Sequence, residues 1–135
     1  MDTYTVRLVS LTCHSQSDFS SSDEIWMQLQ SDAGSTVRVP LEVDSAISLK
    51  PGETWNFEDN NGGPLDAKFT IDLQVALWDQ DFKVLIGATD YVGSADYTSS
   101  TSFDGNGMND RDLTNGASSY YTLTIQKVGA WPDVE

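Results

Sequence analysis

Phe69-Thr70-Ile71-Asp72-Leu73-Gln74-Val75-Ala76-Leu77-Trp78 is the most regular stretch in the chain, and it runs on into Asp79-Gln80-Asp81. Phe69, Ile71, Leu73, Val75 and Leu77 alternate with Thr70, Asp72, Gln74, Ala76 and Trp78. Successive side chains of a β-strand point to opposite faces, so this period of two predicts one apolar face and one mostly polar one. The expectation is a single central strand over 69–77.

The same pattern recurs on both sides of it. Tyr4, Val6 and Leu8 share a phase that slips at Leu8-Val9 and resumes with Leu11 and Cys13, the signature of a β-bulge. Ile25, Met27 and Leu29 alternate with Trp26, Gln28 and Gln30. After the turn residues 31–35, Val37, Val39 and Leu41 alternate again, with Pro40 marking an edge strand. Residues 47–57 predict two short strands about the Pro51-Gly52 turn, and 59–64 a plain loop. Downstream come short apolar pieces at 84–87 and 91–93, a long loop over the Ser-, Asn- and Gly-rich residues 98–117, and a last strand through Tyr121, Leu123 and Ile125. No apolar 3.6-residue period spans eleven residues, so almost no helix is expected. The predicted fold is all-β: an antiparallel two-sheet β-sandwich of seven or eight strands, one domain over 1–135 with its core in 4–128 and a frayed tail at 129–135.

The chain has 135 residues, 39% of them hydrophobic, enough for one self-supporting core. Twenty-one Asp and Glu against seven Lys and Arg give a net charge of −14. That field repels nucleic acid and favours cations or cationic partners. Cys13 is the only cysteine and His14 the only histidine, which excludes an internal disulfide, a thiolate zinc site and a triad of imidazoles. A relay of hydroxyl, His and carboxylate has one chance, through His14, and no enzymatic constellation is predicted. No run approaches the roughly 18 apolar residues of a transmembrane span, and no signal peptide is visible. The expectation is a soluble protein of unknown compartment, cytoplasmic or exported by a non-classical route.

Calcium takes six to eight hard oxygens, best supplied where several acid-bearing loops meet. Asp18 and Asp23 belong to one polar loop, and Asp79 and Asp81 follow the strand over 69–77. Residues two apart on a strand share a side, so Asp79 and Asp81 form a natural pair. The same four also suit a plainer role as turn formers and strand-end blunters. Asp104, Asn106, Asp110 and Asp112 make a second oxygen-rich cluster, either a further ion site or a turn; it lacks the glycine and glutamate of an EF-hand loop. Trp26, Trp78 and Trp55 offer aromatic surface for sugar or protein contacts, or partial burial.

Ser22-Asp23-Glu24-Ile25-Trp26 resembles the Ser-Asp-Pro-Tyr-Val segment of the C2 domains, a family of calcium-binding β-sandwiches. Leu77-Trp78-Asp79-Gln80-Asp81 followed by Ile86-Gly87 resembles that family's strand, Asp-x-Asp loop and Ile-Gly closure, and residues 50–57 are similar to its Asn-Pro-x-Trp-Asn-Glu stretch. The resemblance spans roughly residues 4–128. It implies that Asp18, Asp23, Asp79 and Asp81 ligate calcium. Where the family places a further acid before Ile-Gly this chain has Val84 and Leu85, and Asp90 is the substitute. It also implies a binding module whose calcium is structural or enables docking to a lipid headgroup or protein partner. The alternatives are a lectin-like sandwich that binds a glycan, and an acidic interaction or inhibitor domain.

Overall fold

The computed structural model describes residues 2–15, 23–32, 36–40, 46–81, 88–114, 120–129 and 131, with the backbone alone at 23–24, 79–81 and 88–91. Within them lie ten strands and one short helix: β1 (Tyr4–Ser15), β2 (Asp23–Ser31), β3 (Val37–Val39), β4 (Ile47–Leu49), β5 (Thr54–Asn56), α1 (Phe57–Asn61), β6 (Leu65–Phe69), β7 (Asp72–Asp81), β8 (Ala88–Thr98), β9 (Met108–Leu113) and β10 (Tyr120–Val128). Two antiparallel sheets result. In the first, β5 and β6 both pair with β1, followed by β10 and β9; in the second, β3 and β4 both pair with β2, followed by β7 and β8.

The expected sandwich is present, with β7 central between β2 and β8. Its core is the set the alternation selected: Val6, Leu8, Leu11 and Cys13 of β1, Ile25 and Met27 of β2, Leu73, Val75 and Leu77 of β7, and Tyr121, Leu123 and Ile125 of β10 are all sealed from solvent. The phase slip in β1 is a register shift between Leu8 and Ser10.

Several expectations are corrected. The stretch 69–77 is not one strand. Phe69 ends β6 in the first sheet, the chain bends at Thr70 and Ile71, and β7 begins at Asp72 in the second sheet. Ile71 is 60% exposed. The bend is held by Asp32, whose carboxylate accepts from the backbone N–H of Thr70 (3.0 Å), Ile71 (2.9 Å) and Asp72 (3.2 Å) and from the Thr70 hydroxyl. Alternation carries through such a crossover, because the strand period is blind to which sheet a residue joins.

Residues 59–64 are not plain loop. Asn56 caps α1, its Oδ1 accepting from Asp59 N at 3.0 Å; Glu58 and Asp59 favour the first turn, Phe57 is buried, and Gly62 ends the helix in the left-handed region at φ 76°. A helix of five residues is too short to register as a 3.6-residue period. The strands flanking Pro51-Gly52 belong to different sheets: β4 pairs with β2, and β5 with β1.

β3 is an edge strand with no buried residue, since Val37 is exposed and Val39 half-buried. The stretch 98–117 is not one loop, because β9 occupies 108–113. Trp131 does not fray: its ring meets Tyr4 at 4.9 Å, Phe103 at 5.0 Å and Phe69 at 5.8 Å, and its Nε1 donates to the Thr5 carbonyl at 3.2 Å. Among the described residues no helix is long and apolar enough to cross a membrane.

Candidate functional site

The strand ends define one tip of the sandwich. In the first sheet, Ser15 at the end of β1 is opposite Tyr120 at the start of β10, and Leu113 at the end of β9 is opposite Tyr121. In the second, Asp81 at the end of β7 is opposite Ala88 at the start of β8, and Asp79 is opposite both Asp90 and Ile25. The segment 50–53 ties these two ends together. It joins Leu49, the partner of Asp23, to Thr54, the partner of Thr12, and bonds to β1 through Gly52 N to Cys13 O (2.7 Å) and Cys13 N to Glu53 O (2.9 Å).

Four of the five acids singled out from sequence therefore share this tip by backbone register: Asp23 at the start of β2, Asp79 and Asp81 at the end of β7, and Asp90 near the start of β8. Asp23 lies two residues before Ile25 and Asp81 two after Asp79, one further step along the same ladder. The side chains at these four positions, and Asp18 altogether, lie outside the described residues. Asp79 and Asp90 are directly opposed, and like charges facing each other across a ladder repel. Carboxylates are the hard oxygen donors that calcium takes, so the donor chemistry fits that ion. Among the described residues no group of three or more His, Cys, Asp or Glu side chains converges as a metal cage.

Two further acids at this tip were not singled out as its ligands. Glu53 accepts from Lys50 N at 2.7 Å, and Asp112 accepts from the Thr122 hydroxyl at 2.9 Å. The only sequence signal for Glu53 was its Pro-Gly turn; Asp112 needed the β9–β10 register. Asp112 also holds the Tyr120 phenol above its usual range, chiefly by its charge.

His14, the residue through which a relay had its one chance, lies at this tip as well. His14 Nε2 lies 2.8 Å from Thr122 Oγ1, with its ring 4.5 Å from Tyr120. The Thr122 hydroxyl has one proton and gives it to Asp112, so His14 Nε2 is the donor in that contact. An imidazole that donates to a hydroxyl cannot take its proton.

The second cluster does not gather. Asp104 Oδ1 accepts from Asn106 N (2.8 Å) and Met108 N (2.9 Å), shaping the turn into β9, with Gly107 at φ 77°. Asp110 accepts from Thr124 Oγ1 at 2.7 Å, whereas Asp112 serves Thr122. Arg111 reaches toward β8 instead: its Nη1 donates to Asp96 O at 2.9 Å, and its guanidinium lies 4.9 Å from the Tyr97 ring centre. Of the tryptophans, Trp55 packs half-buried against the core. Trp26 and Trp78 stack nearly parallel, 5.8 Å apart, under the Arg38 guanidinium, which sits 5.0 Å from the Trp26 ring.

No protein-family model matches the sequence, and no curated protein sequence matches it significantly. Solved structures do. The chain is similar to a C2 domain of a plant extended synaptotagmin 1, with a TM-score of 0.58 and 11% identity over 98% of this chain and 96% of that one. It is similar to a structure described as a C2 domain, with a TM-score of 0.53 and 10% identity over 92% of this chain and 97% of that one. It also matches human GIVD cytosolic phospholipase A2, with a TM-score of 0.50 and 14% identity, over 93% of this chain but 16% of that one. The protein thus has a C2-like fold, an all-β sandwich of two antiparallel sheets. Identities this low establish the fold alone.

Proposed function

We propose that this chain is a calcium-binding C2-like module, with Asp18, Asp23, Asp79, Asp81 and Asp90 as its carboxylate ligands. One observation carries the reading: the ladder that sets Asp79 opposite Asp90 and Ile25 also brings positions 23 and 81 to the same sheet end. Assembled carboxylates repel, and a divalent ion relieves that repulsion while supplying local positive charge. The bound ion fixes the tip and turns a surface that repels anionic groups into one that accepts a lipid headgroup or an acidic protein segment. Asp90 stands in for the acid that Val84 and Leu85 replace, and its pairing with Asp79 supports that role.

A calorimetric melt of the full chain at rising calcium is the test. A ligand that binds the folded state alone stabilises it by about 2.7 kcal/mol at a hundred times its dissociation constant. The expected result is an unfolding midpoint that climbs with calcium and falls back on adding chelator. A midpoint indifferent to millimolar calcium removes the proposal. If the midpoint climbs, co-sedimentation with anionic vesicles separates a docking ion from a purely structural one.

A further inference from the structure

The outer face of the second sheet carries a polar strip that the acidic tip does not use. Gln30 of β2 pairs with Gln74 of β7, and Gln74 pairs with Asp96 of β8, so amide, amide and carboxylate stand in one row across three strands. Neighbouring strands lie about 4.8 Å apart, which spaces these groups evenly. The row borders an open cleft of 490 Å³ completed by Ser31, Asp32 and Asp72. Asp32 is committed to the bend at Thr70–Asp72, and the Ser31 hydroxyl donates to the Lys68 carbonyl. The side chains of Gln30, Gln74, Asp72 and Asp96 are exposed and make no hydrogen bond to the described residues. Further along the same ladders, beyond the pair Gln28 and Ala76, stand Trp26 and Trp78. Ala76 has only a methyl group, so the floor between the amide row and the tryptophan pair stays low.

We propose that this strip binds a short oligosaccharide without acidic groups, and most tightly one whose rings carry amino groups. A sugar hydroxyl both donates and accepts, and so does a glutamine amide, whereas a carboxylate accepts only. Gln30 and Gln74 therefore match ring hydroxyls, and Asp72 and Asp96 match hydroxyl or ammonium donors in charge-assisted bonds. The tryptophan pair at the far end of the strip is already covered by Arg38 on its Trp26 side, so the row of amides and carboxylates carries the recognition. Charge complementarity sets the ranking: two free carboxylates on a chain of net charge −14 attract an ammonium and reject a uronic acid. A bare metal ion fits less well, because the lone pairs of Asp32 are already engaged and two of the four free groups are neutral amides.

Amide NMR and calorimetric titration of the full chain, with chelator present throughout, test this with four probes: glucosamine trimer, its N-acetylated form, galacturonic acid trimer and trilysine. The expected result is binding of the glucosamine trimer, with shifts centred on residues 28–30, 74–78 and 94–96, weaker binding of the N-acetylated form, and none of the galacturonate. Gln74→Ala and Gln30→Ala change exposed side chains and leave the fold intact. Each is expected to weaken binding about ten-fold, the effect of losing one or two well-made hydrogen bonds. No binding, shifts elsewhere, or affinity unchanged by both variants would overturn the proposal. Trilysine binding as tightly as the amino sugar would overturn it too, by showing that the cleft responds to charge alone. Because chelator is present, failure here leaves the calcium reading untouched.

Discussion

Asp32 ties together parts of the chain almost forty residues apart with a single carboxylate. Its pKa is drawn down to about 2, first by the Thr70 hydroxyl and then by the backbone N–H groups of Thr70, Ile71 and Asp72, with desolvation opposing them. A carboxylate held below its ordinary value of about 3.9 stabilises the fold wherever it is ionised in both states. Its contribution is complete above about pH 4 and disappears as the pH falls through about 2. Asp32→Ala is thus expected to be less stable than the parent at neutral pH, with the gap closing between about pH 4 and 2. Urea midpoints collected across that window give the comparison, and a gap that stays constant contradicts the assignment. The sequence marked Asp32 as a turn residue but held no sign of its partners, which only the fold brings near.

β8 shows at the level of the element what limits a reading of the pattern. It runs for eleven residues, yet the buried positions among its described side chains are Val92, Gly93, Ala95 and Tyr97, because a register shift opposite Leu77 and Trp78 breaks the alternation. The strands with unbroken or once-slipped alternation, β1, β2, β7 and β10, were legible, and they carry most of the core. The bulged β8, the polar β9 and the short α1 were not, since none presents a run of apolar residues at one period. Of the candidate site, the strand-end positions were legible for the same reason as the core: Asp79 and Asp81 end one strand and Asp23 begins another, whereas Asp18 lies outside the described residues. Gly93 marks where the two sheets meet at their β8 and β9 edges. A Cβ built there would lie 2.9 Å from Thr114 N and 3.1 Å from Leu113 C, both backbone atoms that cannot swing aside. Gly93→Ala is expected to destabilise by about 1–3 kcal/mol, the usual cost of overpacking. Chemical denaturation that finds the variant within about 0.5 kcal/mol of the parent, the range of ordinary surface changes, argues against that close approach.

Across the whole molecule, fourteen uncompensated negative charges oppose compaction, and this repulsion is of two kinds. Part of it is spread over the surface, as with Asp96 on β8 and Asp110 on β9, and simple salt relieves it by screening. Raising sodium chloride from about 0.01 M to 0.1 M shortens the screening length from about 30 Å to about 10 Å, so the unfolding midpoint is expected to rise over that range. The remainder is concentrated at the acidic tip, where opposed positions such as Asp79 and Asp90 sit closer together than any of these screening lengths, and monovalent salt relieves it poorly. Calcium added at a fixed background of about 0.1 M therefore isolates the tip. The paired variant Asp79→Asn with Asp81→Asn removes two of the tip's charges, so it is expected to melt at or above the parent temperature without calcium and to gain little when calcium is added. Should the variant gain as much from calcium as the parent does, the ion is acting as a general counterion to the −14 charge rather than as a ligand of the tip.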